Sequence, residues 1–170
     1  MAITLYSITI PIFLKNLRTL QKLLAKGTAH AKDGGNELTE EKLVGSRLIA
    51  DMGDLVYQIQ RISDTSKGFC VRVAKIEAVA LEDNEKTMED LQTRIAKTIE
   101  ILEGVKEEDI NGKEEEEVIL KTRTAELKFT GFSYATQFAL PNFFFHFVTA
   151  YGLLRKEGVE IGKSDYMGRG

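Results

Sequence analysis

The sequence predicts an all-α domain, a four-helix bundle with a small β-hairpin or extended segment between helices three and four. Three observations carry that expectation. Apolar residues recur at steps of three and four over most of the chain. Cap and breaker residues divide those periodic stretches. After Glu117, by contrast, apolar residues appear in two short runs with little helical phase. At 170 residues, 43% hydrophobic and 29% charged with two prolines, the chain suits one domain over residues 1–170 around one core.

Helix one is expected over residues 8–31, where Phe13, Leu17, Leu20 and Leu24 share a face and Lys15, Arg18, Lys22 and Lys26 lie elsewhere on the wheel. Asp33, Gly34, Gly35 and Asn36 then supply a turn. Thr39, followed by Glu40 and Glu41, offers an N-cap hydroxyl and acids against the positive end of the next helix dipole. Helix two is read over residues 40–79, since Val44, Leu48, Leu55, Ile59, Ile62, Phe69, Val73 and Ile76 hold helical phase for about ten turns, roughly 60 Å, with room for a kink over residues 63–68. Thr87 with Asp90 forms a capping box for helix three, whose apolar positions Met88, Leu91, Ile95, Ile99 and Leu102 run to Gly104.

The acidic stretch 107–117 contains the turn signal Asn111-Gly112, and Val118-Ile119-Leu120 and Leu127-Lys128-Phe129 follow as the expected strands. Glu114 to Glu117 read as a solvated run, because consecutive carboxylates repel. Helix four begins at Leu140-Pro141 and ends at Glu157-Gly158. Phe143, Phe144, Phe145, Phe147, Val148 and Leu153 cover every direction around it, which predicts the most buried helix of the bundle.

With 23 basic and 26 acidic residues, a net charge of −3 and no basic run longer than two, the chain has no footprint for nucleic acid. Cys70, the single cysteine, reads as a small apolar helix residue. The apolar stretch 1–11 lacks a basic flank and leads into helix one, and no run of eighteen apolar residues exists, so no membrane association and a cytoplasmic location are expected. HExxH, CxxC, P-loop and GxGxxG patterns are absent.

Two anomalies could carry chemistry. In helix two the steps Leu48, Asp51, Leu55, Gln58, Ile62 place Asp51 and Gln58 within the apolar stripe, where a carboxylate needs a partner or a pocket. In helix four Asn142, His146 and Thr149 share one face among aromatics, and such a histidine is a ligand, an acid/base or a satisfied core residue. Tyr151 and Tyr134 could lend hydroxyls. His30, near the end of helix one, reads as a helix-dipole partner. Asp51 and His146 are therefore expected to meet as an acid/base pair for a small-molecule substrate, with Gln58, Asn142, Thr149, Tyr151 and Tyr134 around them and no tightly bound metal or other cofactor. Isomerase, dehydratase or cyclase chemistry would suit such a pair; a metal-dependent transferase or hydrolase and a non-catalytic binding or dimerisation module are the alternatives.

Leu140-Pro141-Asn142-Phe143-Phe144-Phe145-His146, continued by Thr149-Ala150-Tyr151, Leu154-Arg155, Gly158-Val159 and Ile161-Gly162-Lys163, resembles a family of uncharacterised proteins from fungi and bacteria, a branch of the DinB/YfiT-like superfamily. Leu48-Ile49-Ala50-Asp51-Met52 and Gln58 are similar to that family's helix-two segment, so the resemblance spans nearly the whole chain. It implies a DinB-like four-helix bundle, often a homodimer, with relatives that include metal-dependent thiol transferases and isomerases. Those relatives hold their metal through a histidine on the second helix and an HxxxH pair on the fourth. Here His146 matches one member of the pair, but Ala150 and Asn142 flank it at four residues and helix two offers Asp51 and Gln58, so the triad is broken.

Overall fold

The computed structural model describes residues 3–33, 38–122 and 124–169. In chain order its elements are α1 (Ile10–Lys32), α2 (Glu40–Val44), α3 (Leu55–Phe69), α4 (Met88–Glu103), β1 (Glu117–Lys121), β2 (Glu126–Thr130), α5 (Gly131–Ser133), α6 (Leu140–Lys156) and α7 (Lys163–Tyr166). Two π-helical turns extend helices: Cys70–Ala74 continues α3, and Tyr134–Ala139 joins α5 to α6. The four long helices pack in a ring, α1 against α4, α4 against α3, α3 against α6 and α6 against α1. This is an all-α bundle with a small antiparallel hairpin between its third and fourth long helices, as expected.

The periodic faces make the core. Phe13, Leu17, Leu20 and Leu24 of α1, Ile59 and Ile62 of α3, Leu91, Ile95 and Leu102 of α4, and Phe143 and Phe147 of α6 are all buried. Phe13 sits at the centre, its ring 5.8 Å from Phe69 and 5.0 Å from Phe143. Such tilted aromatic contacts add about 0.5–1.5 kcal/mol each beyond the area they bury. The caps follow the sequence: Pro11 enters the first turn of α1, Thr39 Oγ1 accepts from Lys42 N, and Thr87 and Asp90 form a reciprocal box. The turn expected at residues 34–36 lies outside the described residues. At the far end of α6, Gly158 adopts φ +87°, a backbone region that favours glycine.

The hairpin pairs Val118 with Phe129 and Leu120 with Leu127, and turns Val118 and Leu120 inward. Asn111-Gly112 lies before it, Gly112 taking φ +86°, while the reversal itself is closed by Thr122 N donating to Ala125 O at 2.8 Å.

Three expectations need correction. Helix two is not continuous: α2 ends at Gly45, an irregular loop follows, and α3 starts afresh at Leu55 with Asp54 as its N-cap. Leu48, read as core, is 59% exposed in that loop, and its neighbour Ile49 is 60% exposed. At its other end, regular α3 runs through residues 63–68, the distortion comes one turn later as the π-helical turn, and Lys75 in the left-handed region (φ 60°) stops the helix. Helix four is not buried all round. Phe145 and Val148 stand 55% and 49% exposed, because α6 packs on α3 and α1 and turns its remaining face outward. Its helical path also begins earlier, at Gly131, where a Cβ would collide with the Lys113 carbonyl. No helix among the described residues is long and apolar enough to cross a membrane.

Candidate functional site

The break before α3 shapes the site. Asp54 caps the new helix by accepting from Tyr57 N at 2.9 Å, and the loop folds back on itself through Leu55 N to Ser46 O (3.1 Å). Arg47 pairs with Asp54 at 2.9 Å and donates to Met52 O at 2.6 Å. This leaves the Gly53 carbonyl beside the first turn of α3, where the buried Gln58 donates to it through Nε2 at 2.9 Å. The Gln58 amide is thereby oriented with Oε1 toward α6, 2.7 Å from His146 Nδ1. An acceptor there requires Nδ1 to carry the proton, so His146 is the Nδ1–H tautomer and Nε2 holds a lone pair. His146 is only 8% exposed, yet Nε2 takes no partner among the described residues and is not one of the buried orphan nitrogens, so it reaches the surface.

Burial, and then the nearby Arg61 charge, lower the His146 pKa to about 4, and the ring is neutral at pH 7. Arg61, on the same side of α3, stacks its guanidinium 5.2 Å above the Tyr57 ring and pairs with Asp64 (3.0 Å) and Asp83 (2.9 Å). Tyr57 meets the imidazole edge-on at 6.0 Å and Phe145 at 5.1 Å. One turn earlier on α6, Asn142 Nδ2 donates to Thr65 Oγ1 at 2.7 Å. The arrangement is a neutral imidazole with a fixed outward lone pair inside an aromatic collar.

The other sequence candidates are scattered. Asp51 is exposed in the loop rather than on a helix, and takes no hydrogen-bond or ion-pair partner among the described residues. The expected buried carboxylate partner of His146 is therefore not on a core face at all. Thr149 bonds its own helix, Oγ1 to Phe145 O at 2.7 Å, and Tyr151 packs edge-on against Tyr166 at 5.5 Å. Tyr134 is 1% exposed among Phe69, Phe129 and Phe138, accepts from Arg72 Nη1 at 3.2 Å, and burial raises its pKa. His30 lies in the last turn of α1 as expected. Burial pushes the Cys70 thiol up to about 12, which leaves it an inert core group.

Sequence reasoning missed a buried ionic network beside the site. Arg94 on α4 has its side chain 1% exposed and binds Asp64 (3.0 Å), Asp83 (3.0 Å) and Glu85 (2.6 Å), and it donates to Glu82 O at 3.1 Å. Lys67 donates to Val79 O at 3.3 Å and Gln60 to Glu85 at 2.9 Å. Burial alone would raise the Glu85 carboxyl, but hydrogen bonds from Arg94 and Gln60 hold it below the ordinary range. The network straps the extended stretch 76–86 across α3 and α4, beside a cleft of about 380 Å³ lined by Leu81, Glu82, Glu85, Thr93 and Lys97. The signal was present: Leu91, Arg94, Thr98 and Leu102 step by three, four and four, which puts Arg94 on the core face.

A metal at the histidine does not fit these residues. Gln58 Oε1, its one ligating atom, is committed to His146, Asn142 is tied through Nδ2 to Thr65 and would add one neutral oxygen at most, and Ala150 offers no ligand. Among the described residues no group of three or more His, Cys, Asp or Glu could hold a metal ion.

Comparison with known proteins places the chain in a fold family. The model of a domain of unknown function, DUF1993, matches residues 5–167. A solved structure of a DinB family member protein from Shewanella denitrificans is similar at 35% identity and TM-score 0.86, over 96% of this chain and 92% of that one. No curated protein matches.

Proposed function

The chain belongs to the DUF1993 family, and from that premise we propose that it is a small-molecule-binding bundle whose polar anchor is Nε2 of His146. The carrying observation is the relay from the Gly53 carbonyl through Gln58 to His146 Nδ1, which fixes the tautomer and commits Nε2 to accepting a hydrogen bond. Tyr57 and Phe145 give the flanking surface on which an apolar or aromatic part of the ligand would rest. The preferred ligand carries a hydroxyl or N–H donor on an apolar frame.

A two-group isomerase or dehydratase mechanism needs a second acid or base, and Asp51, exposed in the loop, makes no hydrogen bond to His146. With a pKa near 4, Nε2 is a weak base at pH 7 and a good acceptor. Any catalysis at this face would use His146 to hold and polarise a donor group.

The test uses phenol and its methyl ether, anisole, as probes. At millimolar concentration phenol is expected to shift the Nε2 nitrogen resonance of His146, and anisole, which has no donor, to leave it in place. Loss of the phenol response in His146→Ala completes the result. Equal responses to both probes, or none to phenol, would overturn the reading.

A further inference from the structure

The cleft between the strap 76–86 and α4 has no part in the histidine site. The strap runs back along α4, reaching Lys67 through Val79 O, meeting Arg94 through Glu82 O and Glu85, and joining the helix at its N-cap Thr87. Those bonds hold it in place yet use little of its backbone. From Val79 to Asn84 no N–H donates to any described residue, and only the carbonyls of Val79 and Glu82 accept. An extended segment with open backbone groups beside a cavity is the arrangement onto which a second extended chain adds as a strand. The wall behind it is fixed: Arg94, its side chain 1% exposed, commits Nη1 to Glu82 O and Glu85 and Nη2 to Asp64 and Asp83.

What the cleft leaves unspent is charge of both signs. Asp90 gives Oδ2 to Lys86 N and Thr87 N, both at 2.9 Å, and Glu82 gives Oε2 to Asn84, so Asp90 Oδ1 and Glu82 Oε1 are open. Lys97 pairs with no carboxylate among the described residues, and Thr93 Oγ1 takes no partner there. Asp90, Thr93 and Lys97 step by three and four along one face of α4, so about 10 Å of helix separates the acid from the lysine.

We propose that this cleft binds a free peptide of about three residues, extended along the strap, with its ammonium group on Glu82 and Asp90 and its carboxylate on Lys97. An extended chain covers roughly 3.3–3.6 Å per residue, so three residues match the separation of the charges. The volume of about 380 Å³ lies at the low end of the range of small-ligand pockets, roughly 300–1,000 Å³, and admits a few residues but no folded partner. A polyanion would meet Glu82 and Asp90, and a polyamine would meet Lys97, whereas a zwitterion satisfies both ends. Ala80 and the half-buried Leu81 offer only a small apolar surface, so recognition falls on the peptide's main chain and termini rather than on its side chains.

The probe is trialanine, added to the full chain and followed through the amide resonances. At millimolar concentration it is expected to move the amides of Leu81, Glu82 and Lys97 and to slow hydrogen exchange several-fold over residues 80–82. N-acetyl-trialanine, which has no ammonium group, and trialanine amide, which has no carboxylate, are each expected to bind about fivefold more weakly, the worth of one well-made exposed ion pair. Lys97→Met, at an exposed position, is expected to weaken trialanine by about the same factor and to leave trialanine amide unaffected. Glu82→Gln, also exposed, is expected to weaken trialanine and spare the N-acetyl form. Far-ultraviolet dichroism stays unchanged in both variants.

No shift at these amides, equal binding of the three probes, or a Lys97→Met protein that loses trialanine and its amide alike would overturn the proposal. Exchange over residues 80–82 that bound trialanine does not slow would overturn the strand pairing. Trialanine is expected to leave the phenol response of His146 in place, and displacement of phenol would move the peptide to the histidine and away from this cleft.

Discussion

Acidification from pH 7.5 to 5 is expected to weaken the fold by about 2 kcal/mol through His146 alone. Burial, and then Arg61, lower its pKa from 6.5 to about 4 in the folded chain, while the unfolded chain regains the ordinary value. Between those two values the unfolded state binds a proton that the folded state refuses. The contribution is therefore complete above pH 6.5 and is lost as the pH falls toward 4. At pH 5 the loss is about 1.5 pH units, or about 2 kcal/mol, and it levels off near 3 kcal/mol at lower pH. With a urea slope of about 2 kcal/mol per molar, that is a midpoint shift of about 1 M. Glu85 and Glu157, whose carboxyls are held below the ordinary range, lose their contributions at still lower pH and do so in any His146 variant. The comparison protein is His146→Gln, whose amide can still donate to Gln58 but has no proton to gain. Urea melts at pH 7.5 and 5 are expected to show the wild-type midpoint falling about 1 M further than the variant's. Equal falls would refute a neutral, buried imidazole at this position.

Replacing Arg94 with Met leaves Asp64, Asp83 and Glu85 without their shared cation, and is expected to destabilise by about 3–5 kcal/mol and to speed protease cleavage within 76–86; a strap that stays uncut would show that the network does not hold it. Gly131→Ala places a methyl group against the Lys113 carbonyl, with an expected loss of about 2 kcal/mol and about 5 °C in the thermal midpoint, and an unchanged midpoint would mean that the hairpin yields freely. Asp51→Asn is expected to change stability by less than about 0.5 kcal/mol and to leave the His146 titration where it is. A His146 pKa displaced by about one unit in that variant would return Asp51 to the site.

What could be read in the sequence was local. Thr39, and Thr87 with Asp90, cap the helices they were expected to cap, because a cap is decided within four residues. Gln58 and His146 were both found from core-facing steps, and they do meet. The second helix misled because Leu48 and Leu55 are seven residues apart, two helical turns, so apolar phase was carried across a loop by coincidence. Asp54 was a legible N-cap, but only once Gly53 before it is taken as a break. No glycine or proline marks the stretch 76–86. Its extended path depends on Arg94, Lys67 and Gln60, which belong to other elements, and contacts of that range leave no local signature.

The unread breaks are what make the site. In an unbroken second helix the Gly53 carbonyl would be spent on the amide four residues ahead, and Gln58 would have no acceptor to orient it. With the helix starting at Leu55, that carbonyl is free to take Gln58 Nε2, so a backbone group in a loop decides which face of an amide, and then which nitrogen of an imidazole, is left for a ligand. Glycine at this position is required by the same geometry, since a Cβ would lie inside the Tyr57 ring that forms one wall of the collar. The second break acts from the other side. By leaving the helix at Lys75 the chain brings Asp83 back to Arg61, which ties down the one cation that lowers the His146 pKa. The loop thus sets the tautomer of one histidine, burial in the bundle keeps it neutral, and the strap holds in place the Arg61 charge that adds to that effect.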